Sequence, residues 1–397
     1  MPKILRIINR LNLGGPAFNA AYLTKYLEPE FETMLLSGMI DHTEAHGDFI
    51  TSQLGVQPVY IPEMHREISL WNDQKAYRQI KKIIETFKPD IVHTHAAKAG
   101  ALGRMAAAAS KVPVVIHTFH GHVFHSYFPP WKTRLFLEIE KYLAQQSTRI
   151  IAISSQQKEE LAHTYKVCPP QKVEVIPLGF DLEKFSTDQP EKRKRFRQRY
   201  LVEDDEIVIA IVGRLVPVKN HELFLHAISD IQHKTGRKLR AFIVGDGEHR
   251  VHIESKARAL QLGFTDFTKQ PQKSLVTFTS WITAIDEVYA GADVIALTSL
   301  NEGTPVSLIE AQAAGKAIVT TDVGGISNIV VPGQTALLSA AADQELFSAN
   351  LLQLVESDLF RMKMSSYDVK AIQARFHYSR LADETASLYY RLLDSTT

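Results

Sequence analysis

Residues 298–315 read TSLNEGTPVSLIEAQAAG. Two carboxylates, Glu302 and Glu310, stand on either side of a Gly-Thr-Pro turn and the start of an apolar helix. Thr304 is suited to cap that helix, and Pro305 fits its first turn. The uncapped N–H groups and the positive end of the helix dipole then face outward toward an anion such as phosphate. Gly303, Thr304, Pro305 and Val306 line that approach. Glu302, on the loop, can accept hydrogen bonds from sugar hydroxyls. Glu310, about one and a half turns into the helix, can accept them from a ribose diol. The stretch is built for a molecule carrying both phosphates and hydroxyls.

Working outward, strands alternate with helices along the whole chain. Short apolar runs at 4–8, 33–37, 58–61, 91–93, 114–118 and 149–153 are separated by helical patterns at 17–27, 73–86, 100–109, 132–144 and 155–165. After a strand at 172–178 a second alternation begins. Its strands fall at 207–212, 240–244, 276–278, 294–297, 317–320 and 336–338, and its helices include 220–234 and 284–290. Such alternation implies parallel sheets with helices on both faces. In these sheets ligands bind beyond the carboxyl ends of the strands. At 397 residues the chain suits two domains of roughly 200 residues each.

Other segments at predicted strand ends carry polar chemistry. In GRLVPVKN, residues 213–220, Arg214 offers a forked contact and Lys219 a mobile point charge, both matched to a diphosphate. Gly14 and Gly15 follow the first strand, where glycine lets the backbone approach a ligand. Four histidines lie in the nine residues 117–125. Strand alternation puts His120 and His122 on one side without a carboxylate or thiolate nearby in sequence, so a metal site is not expected. Residues 245–248, GDGE, read as a turn after a strand. TFTSW, residues 277–281, carries a predicted strand on to Ser280 and Trp281, and the Trp281 ring either stacks on a ligand or packs.

Together these motifs resemble the retaining glycosyltransferases of family 4. The resemblance covers almost the whole chain and is most specific from Gly213 to Gly325. Glu302 and Glu310 match the family's Glu-x7-Glu motif, whose first acid contacts the donor sugar and whose second contacts the ribose. Arg214 and Lys219 match the diphosphate-binding Gly-Arg-Leu…Lys motif, and His120 matches a Thr-x-His-Gly motif that carries an imidazole to the donor sugar. The resemblance implies the GT-B fold, two Rossmann-like doubly wound α/β domains facing across a cleft. Residues 1–178, completed by a returning helix at 379–397, form the acceptor domain, and 179–378 form the donor domain. It implies transfer of a sugar from a nucleoside-diphosphate sugar, a UDP-sugar before a GDP-sugar, to a hydroxyl on a glycan, glycolipid or small metabolite. Arg214, Lys219, Glu302 and His120 take the catalytic roles. Gly14, Gly15, Gly247, Ser280, Trp281, Gly303, Thr304, Pro305, Val306 and Glu310 hold the donor. The sequence departs from the family pattern in three places. Ser280 stands where glycine is common, Asn328 where glutamate is common, and Leu178 where asparagine is usual.

Bulk properties narrow the alternatives. A formal charge of +1 gives no support to nucleic-acid binding. One cysteine, Cys168, rules out an intrachain disulfide and fits a reducing cytoplasm. No apolar run approaches a membrane span, and contact with a membrane's inner face stays compatible. The basic run at 192–199 reads as a solvated helical face, with anionic lipid as the second reading. There is no Asp-x-Asp pair, so no metal cofactor is expected on the diphosphate. A nicotinamide dehydrogenase is rejected, because Gly14–Asn19 lacks Gly-x-Gly-x-x-Gly and residues 33–38 hold no acid. A sugar-nucleotide 2-epimerase and a catalytically silent sugar-nucleotide-binding subunit are the alternatives kept. Acceptor choice is assigned to the loops at 41–47 and 127–131.

Overall fold

The computed structural model describes residues 1–12, 14–40, 47–65, 67–121, 130–366 and 369–395. The acceptor loops lie largely outside them, as do His122 and His125. The chain divides into two compact units, Met1–Phe180 with Arg375–Thr397, and Asp181–Ala374.

In chain order the elements are β1 (Lys3–Ile8), α1 (Gly15–Tyr26), β2 (Glu32–Gly38), α2 (Asp48–Gln53), β3 (Val59–Ile61), α3 (Leu70–Phe87), β4 (Ile91–His95), α4 (Ala97–Ala109), β5 (Val114–Phe119), α5 (Pro130–Gln145), β6 (Arg149–Ala152), α6 (Ser155–Glu159) and β7 (Val173–Val175). The second unit continues with α7 (Glu183–Ser186), α8 (Gln189–Arg199), β8 (Glu206–Val212), α9 (His221–Gln232), β9 (Lys238–Val244), α10 (Arg250–Ala259), β10 (Phe264–Asp266), β11 (Val276–Ser280), α11 (Ile285–Gly291), β12 (Val294–Leu297), α12 (Val306–Ala313), β13 (Ala317–Thr321), β14 (Ala336–Ser339), α13 (Gln344–Glu356) and α14 (Asp358–Ser365). Two last helices, α15 (Val369–Phe376) and α16 (Tyr378–Asp394), lead the chain back to the first unit.

Each unit holds one parallel seven-stranded sheet, ordered β3-β2-β1-β4-β5-β6-β7 and β10-β11-β9-β8-β12-β13-β14. The order reverses between β1 and β4, and again between β8 and β12. A crevice opens beyond the carboxyl ends of the strands at such a reversal. The central strands are buried on both faces, which is why Ile207–Ile211 runs apolar without alternation. In the second unit Ile209, Ile211, Phe224, Ile243, Phe278 and Val319 share one core. Each contributes roughly 1.5–3 kcal/mol by leaving water. In the first unit Leu381, Leu388 and Tyr389 of α16 complete a core with Ile4, Leu27 and Ile116.

The basic run keeps the solvated face expected of it at Lys194, Arg195 and Arg199 and turns other cations inward. It forms α8, which packs on the acid-rich α11 and the residue pair beyond it. Lys192 pairs with Asp286 at 3.0 Å, Arg193 with Asp293 at 2.9 Å, and Arg195 with Glu287 at 2.7 Å. Lys192 and Arg197 are buried. β10 was also not legible, because Phe264–Asp266 is three residues long and sits at the sheet edge.

Gly291 ends α11 where an added Cβ would lie 2.1 Å from the Phe196 ring. Phe196 is itself buried against Tyr200 and Phe242 and has nowhere to move. Gly291→Ala is therefore expected to destabilise the second unit by about 1–3 kcal/mol. Thermal denaturation should show the loss as a drop of several degrees, at roughly 2–4 °C per kcal/mol for a unit of this size.

Candidate functional site

The second unit's site grows from the loops after β8 and β12, the two strands at its order reversal. Leu300 N–H donates to Val218 O at 2.8 Å, and Thr298 Oγ1 donates to Lys219 O at 2.9 Å. These bonds lock the two loops together. Lys219 Nζ then reaches Glu302 Oε1 at 2.5 Å, and Ser299 Oγ donates to the same oxygen at 2.5 Å. Glu302 has only 10 % of its side chain exposed and Lys219 22 %. Charge-assisted bonds in such surroundings are short and strong. An ammonium has three donors, so Lys219 can hold Glu302 and still offer N–H to another anion. Arg214, on the same loop, is exposed, and its guanidinium forms no hydrogen bond or ion pair with a described residue.

The Glu302 loop is pressed against a second backbone. Gly325 N–H donates to Glu302 O at 3.0 Å. A Cβ on Gly324 would lie 2.0 Å from Glu302 O, and one on Gly325 would lie 1.9 Å from Gly303 O. Gly324 also takes φ of 55°. These two glycines therefore set where Glu302 sits, a role invisible in the sequence because it depends on a contact between distant loops.

Thr304 does not cap α12. Pro305 takes the cap position, with φ −73° and ψ 103°, and no side chain bonds the helix terminus. Proline excludes its predecessor from helical geometry, so Thr304 sits one residue too early to reach the first-turn N–H groups. The Val306 and Ser307 N–H groups are left for another acceptor, while Leu308 N–H closes the turn on Pro305 O at 3.1 Å.

Glu310 is held by Tyr289, whose Oη donates to Oε2 at 2.8 Å. Tyr289 is fully buried, and burial also raises the Glu310 carboxyl to about 7. The hydrogen bond from Tyr289 and the charge of Lys184 oppose that rise.

Gly247 has a structural reason that the sequence did not disclose. A Cβ there would lie 2.5 Å from Leu215 O, and one on Gly245 2.0 Å from Gly213 O. Both glycines let the β9 loop cross the β8 loop, where Leu215 N–H bonds Asp246 O at 2.9 Å. Ser280 ends β11 at φ 57°, a left-handed position that explains the glycine common there. Its Oγ donates to Asp246 Oδ2 at 2.8 Å. Trp281 is half-buried and lies outside the apolar core of this unit.

In the first unit, Gly14 and Gly15 open α1 after β1, and His120 follows β5. No described neighbour crowds Gly14: an added Cβ would meet nothing closer than Pro16 Cδ at 3.8 Å. His120 is joined to a histidine that sequence reasoning passed over. His95 Nδ1 and His120 Nε2 are 2.9 Å apart. His93 lies two residues back on β4, its ring 4.4 Å from that of His95. His93 accepts at Nδ1 from Arg6 at 2.9 Å and meets Tyr389 Oη there at 2.5 Å, while its Nε2 meets Thr118 Oγ1 at 2.7 Å. Burial holds all these imidazoles neutral, His120 at about 3. The shared bond uses one N–H of the His95–His120 pair. The other proton sits on His95 Nε2 or His120 Nδ1, both buried without a partner. Two histidines alternating at a strand end were the available signal. No group of three metal-binding side chains occurs among the described residues.

These placements can be set beside known proteins. The model of Glycosyltransferase Family 4 matches residues 13–184, and that of Glycosyl transferases group 1 matches residues 192–370. An Escherichia coli UDP-Gal:alpha-D-GlcNAc-diphosphoundecaprenol alpha-1,3-galactosyltransferase is 30 % identical over 84 % of each chain. The chain belongs to glycosyltransferase family 4. Solved structures agree on the fold of this glycosyltransferase. Sucrose-phosphate synthase from Thermosynechococcus elongatus matches with TM-score 0.81 at 18 % identity, covering all of both chains. Anabaena Alr3699/HepE, in complex with UDP, matches with TM-score 0.79 at 18 % identity, over 98 % of this chain and 100 % of that one. The two-domain α/β architecture is that of the GT-B glycosyltransferases.

The raised Glu310 carboxyl has a consequence for stability. A group protonated more readily when folded stabilises below its unfolded value, and that contribution is lost as pH rises through its folded value. Between about pH 4.5 and 7 the glycosyltransferase should lose stability relative to Glu310→Gln, with the difference constant above that range. Paired melting curves from pH 5 to 8 check this.

Proposed function

We propose that this glycosyltransferase retains the anomeric configuration and works without a metal ion. The observation that carries the reading is the joined β8 and β12 loops, which set Arg214, Lys219, Glu302 and the open start of α12 at one sheet edge. Arg214, Lys219 and the Val306 and Ser307 N–H groups bind the diphosphate. Negative charge grows on that leaving group as the glycosidic bond breaks, and donors already in place stabilise it. Glu302, oriented by Lys219 and Ser299, accepts from the donor sugar. Glu310, oriented by Tyr289, accepts from the ribose. Gly303, Thr304 and Pro305 shape the loop, and Ser280 and Trp281 border the base. In the first unit Gly14 and Gly15 leave the start of α1 open to a ligand, and His120 offers a neutral imidazole at the end of β5.

The residues fit a diphosphate neutralised by cations rather than by a bridging metal. Two side-chain cations and a helix terminus supply the charge, and no acidic cluster accompanies them among the described residues. A UDP-sugar donor is supported by the Escherichia coli relative, whose name specifies UDP-galactose and a lipid-linked N-acetylglucosamine acceptor. A hydroxyl on a glycan or glycolipid is the corresponding acceptor here.

Incubation with a panel of UDP-sugars and lipid-linked or free saccharides should yield a product whose anomeric configuration, read by NMR, matches the donor. Chelation by EDTA should leave the rate unchanged. Arg214→Ala should lower kcat/KM by about 10²–10³, as for loss of one transition-state donor. An inverted product would sink the retaining reading. A rate restored only by magnesium or manganese would sink the metal-free one, and epimerised donor without transfer would sink both.

A further inference from the structure

Helix α5 carries an apolar face that no described residue covers. Trp131, Leu135, Ile139 and Tyr142 are 70 %, 53 %, 40 % and 56 % exposed. At about 100° per residue these four fall within an arc of roughly 80°. The opposite face is anchored. Glu140 pairs with the buried Arg104 of α4 at 2.7 Å, and Leu143 and Ala144 are buried. The exposed stripe is therefore fixed outward and is not the product of a loose helix.

Cations flank it. Lys132 lies on one side, over the Phe136 ring at 6.0 Å; on the other lie Arg134 and Lys141, the latter paired at 2.7 Å with the exposed Glu138. Beside the carboxyl end of α5 a cavity of about 460 Å³ is lined by Lys141, Lys166 and Lys172 over a floor that includes Ala162, Val167 and Cys168. Lys172 Nζ donates to Gln145 O, the last residue of α5, at 3.4 Å. An apolar stripe bearing a Trp and a Tyr and edged by lysines is the pattern of a helix lying in a bilayer interface. The cations choose among occupants. With Lys141 matched by Glu138, the rim keeps a positive excess from Lys132, Arg134, Lys166 and Lys172; a second copy would set that excess against itself, whereas anionic headgroups complement it. Among the described residues no helix is long and apolar enough to cross a membrane, so the contact is with the surface.

We propose that α5 docks this glycosyltransferase on an anionic membrane surface, with Trp131, Leu135, Ile139 and Tyr142 entering the interface and the Lys141–Lys166–Lys172 cavity receiving a headgroup phosphate. The proposal stands on α5 and its surroundings and does not depend on the donor site. It places the first unit on the surface where a lipid-linked acceptor resides.

Cosedimentation of the full chain with vesicles tests it, using phosphatidylcholine alone and phosphatidylcholine mixed with phosphatidylglycerol. The wild type should bind the anionic vesicles at least ~10-fold more tightly. Trp131→Ser with Leu135→Ser should weaken that binding ~10-fold or more. Lys166→Glu with Lys172→Glu should abolish the preference for anionic lipid. Leu359→Ser with Met362→Ser, exposed apolar positions on α14, should change nothing. Circular dichroism melts should match the wild type for the α5 pair, because both side chains already face solvent. No binding to either vesicle, or binding unaltered by the α5 pair, overturns the proposal. So does a concentration-dependent dimer in sedimentation velocity that the α5 pair abolishes, which would make a second copy the occupant.

Discussion

The ion pair between Lys219 and Glu302 joins the loops on either side of the strand reversal in the second unit. A backbone bond from Leu300 to Val218 and a bond from the Thr298 hydroxyl to Lys219 O hold the loops in register beneath it. The Gly324–Gly325 backbone fixes the Glu302 side from behind. Without that arrangement Lys219 would be a solvated lysine and Glu302 a solvated acid, each free to adopt many rotamers. Ordering them in advance removes an entropic cost that a ligand would otherwise bear, which is what preorganisation means in physical terms.

The two units treat polar side chains differently. The second gathers opposite charges, with a paired cation, an exposed one and a carboxyl raised toward neutrality. The first gathers neutral rings. His93, His95 and His120 are packed behind one another at the ends of β4 and β5, and Arg6 and Tyr389 keep the first of them in one tautomer. Because Tyr389 lies on α16, the returning C-terminal helix is part of that polar network as well as of the apolar core.

Much of this was legible in the residues. Alternating strand and helix patterns revealed two parallel sheets, because parallel strands buried on both faces read as plain apolar runs. Arg214, Lys219, Glu302 and Glu310 were legible because each follows a strand that ends in a recognisable motif. What escaped was set by contacts between distant segments. Tyr289 and Ser299, which orient the two glutamates, carry no local pattern. The purpose of Gly245, Gly247, Gly324 and Gly325 appears only when one loop crosses another. The ion pairs of the α8 basic run escaped because their partners, Asp286, Glu287 and Asp293, lie nearly a hundred residues on. The capping role of Thr304 failed for a local reason, the conformational restriction imposed by Pro305.

The central claim is that the β8 and β12 loops read a diphosphate through Arg214 and Lys219. Isothermal titration of UDP and of uridine against the wild type and Arg214→Ala/Lys219→Ala measures this directly. The account predicts that UDP affinity falls at least ~10-fold in the double variant, equivalent to about 1.4 kcal/mol, while uridine affinity is unchanged. Equal UDP affinity in the two proteins, with both folded, would contradict it.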